Sequence, residues 1–250
     1  MSDVNDTRTG YLTQLGVDIY VRRDSAIAGA PLEVESRASA QPPVVVQAPA
    51  VARSVAPAGD VALMDWTALR STVTGCTLCG LHSTRTQTVF GVGDPNARWL
   101  VIGEAPGAEE DARGEPFVGR AGGLLNSMLK AIGLAREQVF IANILKCRPP
   151  GNRDPRPEEA LACRPYLERQ IALIDPKIIL AVGRIAAQNL LATDVPIGKL
   201  RGRVHTFGAQ RRPLVVTYHP AYLLRSPGEK RKAWTDLKLA MQVYANGGRS

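Results

Sequence analysis

Four cysteines, Cys76, Cys79, Cys147 and Cys163, are the only ones in this chain, spaced C-x2-C, then 67 residues, then C-x15-C. Thiols grouped in this way are the ligand set of one closed metal site. Disulfides are the competing use, but a two-residue gap closes only a tight loop, and the N-terminus does not resemble a secretory signal. A metal centre in a cytosolic protein is therefore the expectation. Four thiolates suit a structural zinc or an iron–sulfur cluster, and ligand type alone leaves both open.

The elements that would position such a site come from the hydrophobic pattern. Arg98 to Gly103, Val139 to Ile144, Lys177 to Gly183 and Pro213 to Tyr218 are short, continuous apolar runs rich in β-formers, the mark of strands covered on both faces. Helical stretches lie at about 61–73, 121–132, 157–174, 185–191 and 230–245. The one at 157 opens with Pro157, Glu158 and Glu159, which suits a helix N-terminus. Strand and helix in alternation predict a three-layer α/β/α sandwich around a four-stranded parallel sheet.

Ligands of such sheets bind beyond the carboxyl ends of the strands. The residues at those ends are Glu104, Ala105, Pro106 and Gly107, then Asn143, then Gly183, then His219 and Pro220. Polar groups should thus converge on one rim. His82 and His205 fall outside that map and are expected on the surface or in loops.

Ahead of this domain, read as residues 61–246, lie a Pro/Ala-rich linker at 25–60 and a short apolar segment at 1–24. Residues 1–60 hold five basic and seven acidic side chains, leaving 26 basic against 16 acidic in the rest. The excess is concentrated between Lys199 and Lys232, where it would attract a phosphate backbone; a solvated basic face is the alternative. No apolar run approaches the roughly 20 residues of a membrane span, so a soluble protein is expected, and one that works as a monomer.

Four stretches resemble one family: GEAPGAEED at 103–111, PFVGRAGGLL at 116–125, NILKCRPPGNRDP at 143–155 and HPAYLLR at 219–225. With the cysteine spacing they resemble the family 4 uracil-DNA glycosylases, the iron–sulfur branch of the uracil-DNA glycosylase superfamily, over about 75–241. The resemblance implies that fold, a 4Fe-4S cluster on Cys76, Cys79, Cys147 and Cys163, and removal of uracil from DNA. It also implies functional positions at Glu104, Glu110 and Asn152.

The chemistry can be set against the residues. Excising uracil requires flipping the nucleotide out, gripping the base and stabilising a uracil anion while an oxocarbenium-like sugar forms. Phe117 would stack on the base. Asn143 carries an amide that accepts from N3–H and donates to O4 if its neighbours fix its orientation. His219 would donate to O2 as charge develops. Ala105 stands where the best-known branch of the superfamily has an aspartate, so no simple base is given. Glu104 and Glu110 are candidates to orient water, Asn152 could hold a carboxylate, and backbone N–H groups of the 104–107 turn would bind the base edge. HPAYLLR is expected as a loop approaching DNA, with Leu223 as an apolar wedge or a packing residue, and Arg225, Arg201 and Arg203 as phosphate contacts.

A related branch that becomes covalently joined to uracil sites has a longer basic loop with histidine and a glutamine in the first motif. With Ala105 and a single His205, this chain fits ordinary turnover. Residues 11–23 (YLTQLGVDIYVRR) resemble the chi-binding peptide of the DNA polymerase III psi subunit. That resemblance opens an alternative: a replication clamp-loader adaptor with little or no activity.

Overall fold

In the computed structural model, which describes residues 58–247, the four apolar runs do pair in parallel. In chain order the strands are β1 (Val92–Gly93), β2 (Trp99–Gly103), β3 (Phe140–Asn143), β4 (Ile178–Val182), β5 (Val204–Phe207) and β6 (Arg212–Thr217). They form one sheet in the order β1-β3-β2-β4-β6-β5. The four expected parallel strands are its centre, and β1 and β5 add antiparallel edges. The expected four-stranded sheet is thus a six-stranded mixed one among the described residues. β5 escaped notice because an edge strand with a solvated face carries no continuous apolar run.

The helices are α1 (Ala58–Leu63), α2 (Trp66–Thr74), α3 (Ala108–Arg113), α4 (Gly119–Ala131), α5 (Pro157–Ile174), α6 (Arg184–Leu191), α7 (Ile197–Leu200), α8 (Pro220–Arg225) and α9 (Lys230–Gly247). The single helix expected at 61–73 is two. Asp65 interrupts it by accepting a hydrogen bond from Ala68 N at 2.8 Å, which caps α2. α1 begins at Ala58, inside the stretch read as linker. The remainder of that stretch and the apolar segment at 1–24 lie outside the described residues.

Alternation along the strands divides the core. Leu100, Ile102, Phe140, Ala142, Ile179 and Ala181 face the layer of α1, α2, α5 and α6, while Trp99, Val101, Ile141, Ile178 and Leu180 face α4, α8 and α9. Each of the Leu, Ile, Val and Phe side chains among them contributes about 1.5–3 kcal/mol relative to exposure. Register aligns the strand ends: Gly103 lies opposite Asn143, and Val182 opposite Thr217. The backbone that follows these pairs therefore emerges on one rim. No helix among the described residues is long and apolar enough to cross a membrane.

Candidate active site

Just beyond that rim opens a cavity of about 760 Å³, with Glu104, Ala105, Glu110, Phe117, Asn143, Asn152, His219 and Arg225 all on its wall. Segments separated by more than a hundred residues meet here because parallel strands deliver their carboxyl ends to the same edge.

Asn143 closes β3 and is buried. Gly103 beside it leaves the room its amide occupies: a Cβ there would lie 2.5 Å from Asn143 Oδ1 and 2.6 Å from the Phe117 ring. The Asn143 amide and the Phe117 ring thus fill the space that the missing Cβ leaves.

Phe117 is buried although it sits in a loop, and its φ of +54° is in the left-handed region that side chains with a Cβ rarely adopt. Several contacts hold it there. Arg136 donates to the Pro116 carbonyl at 2.6 Å and to that of Phe117 at 3.3 Å. Gly122 lets α4 approach so closely that a Cβ would stand 1.8 Å from the Phe117 carbonyl oxygen. The ring stacks along His219, with centroids 5.3 Å apart and planes inclined by 28°.

His219 is the N-cap of α8, so the HPAYLLR segment expected as a loop is a helix started by the histidine. Its Nδ1 accepts a hydrogen bond from Ala221 N at 3.1 Å. An accepting nitrogen carries no proton, so the neutral ring bears its hydrogen on Nε2. Burial, helped by the nearby Arg225 charge, pushes the imidazole down to about 4. At neutral pH the ring is an uncharged donor of fixed tautomer.

The carboxylates differ. Glu104 is pushed up to about 7 by burial and by the Asp154 charge, partly offset by Arg184. Glu110 has both oxygens engaged: Oε2 accepts from Gly107 N at 3.1 Å and Oε1 from Val118 N at 3.0 Å. It joins the 104–107 turn to the Phe117 loop and is a positioning residue, a correction to its expected catalytic place. Gly107 N–H is thereby committed and Pro106 has none, so only Glu104 and Ala105 keep N–H groups from that turn for a base edge. Asn152 holds no carboxylate; its Oδ1 accepts from Arg148 Nε at 2.8 Å.

Two of the expected DNA contacts are elsewhere. Leu223 is 1% exposed, packed with the α4 and α9 layer, because α8 turns that side inward. It cannot be a wedge. Arg201 makes two hydrogen bonds of 2.9 Å to the fully buried Asp236 and lies over the Tyr218 ring at 5.1 Å. It neutralises a core carboxylate rather than a phosphate. Arg203 is exposed, and Arg225 is exposed on the cavity wall.

The four cysteines are unpaired and line one narrow cavity on the α5 side of the sheet, together with Arg85 and Lys146. Arg85 donates to Cys147 Sγ at 3.1 Å, and Lys146 N to Cys163 Sγ at 3.3 Å. Burial pushes the Cys163 thiol up to about 12 against the opposing pull of Lys146. Among the described residues no three His, Cys, Asp or Glu side chains converge on a point that would hold one metal ion. The sulfurs surround the cavity instead. His82 lines it too, exposed, with Nδ1 2.7 Å from the Cys79 carbonyl. His205, expected on the surface or in a loop, lies half-buried on the edge strand β5 with Nε2 2.7 Å from the Leu200 carbonyl.

Sequence reading missed Asp154 and Tyr218 of the cavity wall, and the Arg184 that pairs with Asp154. Arg184 follows a predicted strand end by one residue and Tyr218 is itself the last residue of a predicted strand, so the strand-end map held their signal. Asp154 sits in the turn after β3 and carried none.

The uracil DNA glycosylase superfamily model matches residues 90–238. A type-4 uracil-DNA glycosylase of Archaeoglobus fulgidus is 45% identical over 172 residues, covering 66% of this chain and 86% of that protein. Type-4 enzymes of Thermotoga maritima (46%, covering 60% and 79%) and Saccharolobus solfataricus (46%, covering 68% and 82%) are similar to it over the same region.

Proposed function

The chain belongs to the uracil DNA glycosylase superfamily, and we propose that within it the protein is a type-4 uracil-DNA glycosylase, hydrolysing the N-glycosidic bond of uracil in DNA to leave an abasic site. The observation that carries this reading is His219, a neutral donor of fixed tautomer facing the same cavity as Asn143 and Phe117. As the C1′–N1 bond breaks, its electron pair moves into the uracil ring, and the Nε2–H donates to the O2 where negative charge gathers. Asn143 reads N3–H and O4, and Phe117 covers the ring face. Water adds to C1′ of the sugar cation, and the ionised form of Glu104 faces that cation and takes the proton the water releases. Burial, helped by the Asp154 charge, keeps part of Glu104 protonated in the free protein.

Iron–sulfur binding rests on the donor set and the resemblance together. Four soft sulfur donors lining one cavity suit either metal centre, and it is the resemblance to the type-4 enzymes that favours a 4Fe-4S cluster, with one cysteine per iron, over a single tetrahedral zinc. Arg85 and Lys146 would offset its negative charge. Such a cluster supplies cross-linking, since hydrolysis moves no electrons. It would tie 76–79 to the turn after Asn143 and to α5.

The adaptor alternative, with little or no activity, finds no support, because an adaptor has no physical need for an assembled base pocket. Chi binding through residues 11–23, a cytoplasmic location and a monomeric state remain proposals supported by sequence alone. The deciding experiment is excision from a single-uracil oligonucleotide by anaerobically purified protein, with alkaline cleavage revealing abasic sites. Cleavage lost in His219→Ala is expected; no cleavage of single- or double-stranded DNA by the folded protein would overturn the assignment.

A further inference from the structure

Lys146 is the one lysine among the fully buried large side chains, 1% exposed, and sits between the base reader and the cysteines in NILKC. Its backbone is pinned on both sides: the N–H donates to Cys163 Sγ at 3.3 Å, and the carbonyl accepts from Val89 N at 2.7 Å. The side chain turns back so that Nζ donates to the Asn143 carbonyl at 2.9 Å. The same side chain lines the cysteine cavity. A buried ammonium demands counter-charge, and the cavity that Lys146 lines is the one lined by the four cysteines, whose sulfurs would supply that charge when they hold a cluster. One cation is therefore shared between a strand-end carbonyl and the sulfur site.

We propose that Lys146 is a positioning residue that couples the cysteine site to base recognition: sulfur charge holds its ammonium in place, and the ammonium fixes the end of β3 from which the Asn143 amide reads the base. The proposal rests on the uracil-reading role of Asn143 given above. It explains why a cluster with no electron to transfer would be placed behind this particular strand end. With the sulfurs charged, Asn143 is clamped; without that charge, Lys146 has no reason to stay in the core.

The test uses the intact, anaerobically purified protein and Lys146→Met, which keeps the length of the side chain and removes its charge. With cluster absorbance near 400 nm retained, kcat for uracil excision should fall by roughly 10- to 100-fold while KM for the oligonucleotide barely moves. The cluster's midpoint potential should become more negative, because a neighbouring positive charge has gone. In an Asn143→Ala background the same substitution should change kcat by less than about twofold, since both act through one amide. Wild-type kcat, an unmoved potential, or losses that simply multiply in the double variant would each overturn the proposal. So would a loss of kcat that only tracks loss of cluster. If the Met variant does not fold, Lys146→Gln, which keeps a donor but not the charge, is read the same way. Undiminished excision by Asn143→Ala alone would instead remove the base-reading assignment, and the coupling with it.

Discussion

The base cavity and the cysteine cavity lie on either side of the turn after β3, and they are built by opposite means. The first is wide and lined by polar and apolar groups alike. Its groups come from the ends of separate strands and reach it by register, and titratable side chains there keep contact with solvent. The second is narrow, and its cysteines come from a loop, a turn and the middle of α5. On the proposed reading, function in the first depends on fine placement: a tautomer set by one backbone N–H, an amide and a ring fitted where a Cβ is missing. In the second it depends on bringing donors together at all. Damage to the base cavity should therefore cost rate with little stability, and damage to the cysteine cavity should cost the fold.

The sharpest way to break that contrast is Cys163→Ser. It should abolish the 400 nm absorbance and most soluble folded protein, and a folded, colourless, fully active variant would show that the sulfur site is dispensable. His219→Asn comes next. Asparagine preserves the N-cap of α8 but withdraws the Nε2 donor, so excision should fall about 10²–10³-fold with an unchanged melting temperature. A parallel drop in melting temperature would mean that the histidine is mainly a cap.

Arg201→Leu should destabilise the protein by about 3–5 kcal/mol in denaturant titration, the cost of leaving a buried carboxylate unpaired, with DNA affinity unchanged. A selective loss of affinity would return Arg201 to the phosphate-binding group.

Glu104 separates rate from stability by pH. Its folded value, about 7, is raised, so its contribution to stability is fully present below the ordinary carboxylate range and is lost as pH rises through 7. The proposed mechanism uses its ionised form, so kcat should rise over the same window. His219, already neutral above about 4, does not contribute to that rise. In Glu104→Gln the profile should flatten, kcat at pH 8 should fall by roughly 10- to 100-fold, and the protein should melt higher than wild type at pH 8. A rise that survives the substitution would assign it to another group. The smallest effect is expected from Arg203→Ala, a modest loss of affinity and a salt slope shallower by about one.

Where sequence reading succeeded and failed follows from the range of the interactions. Strands β2, β3, β4 and β6 were legible because burial on both faces demands continuous apolar runs, while β5 was not, since an edge strand makes no such demand. Pro157, Glu158 and Glu159 marked the start of α5 because helix N-termini impose local chemistry. Asn143 and His219 were placed by the strand-end rule and by family resemblance together, and Phe117 by the resemblance and the need for a ring to stack on the base. Leu223 was ambiguous because one turn of helix decides which way an apolar side chain faces. Arg201 was misread because its partner, Asp236, is 35 residues away.

What the sequence by itself determined is the α/β order, the rim on which polar groups gather, and the four cysteines as one set, since periodicity and spacing are properties of the chain alone. Only the tertiary structure decided the protonation and roles of those groups. His219 became a neutral donor through burial and Ala221 N–H, Glu110 a tie between two backbone segments, Glu104 a carboxyl titrating near neutrality, and Lys146 a buried cation between sulfur and strand end. Each of these depends on neighbours brought close by folding, and electrostatic and hydrogen-bond energies act over ångströms of space rather than along the chain.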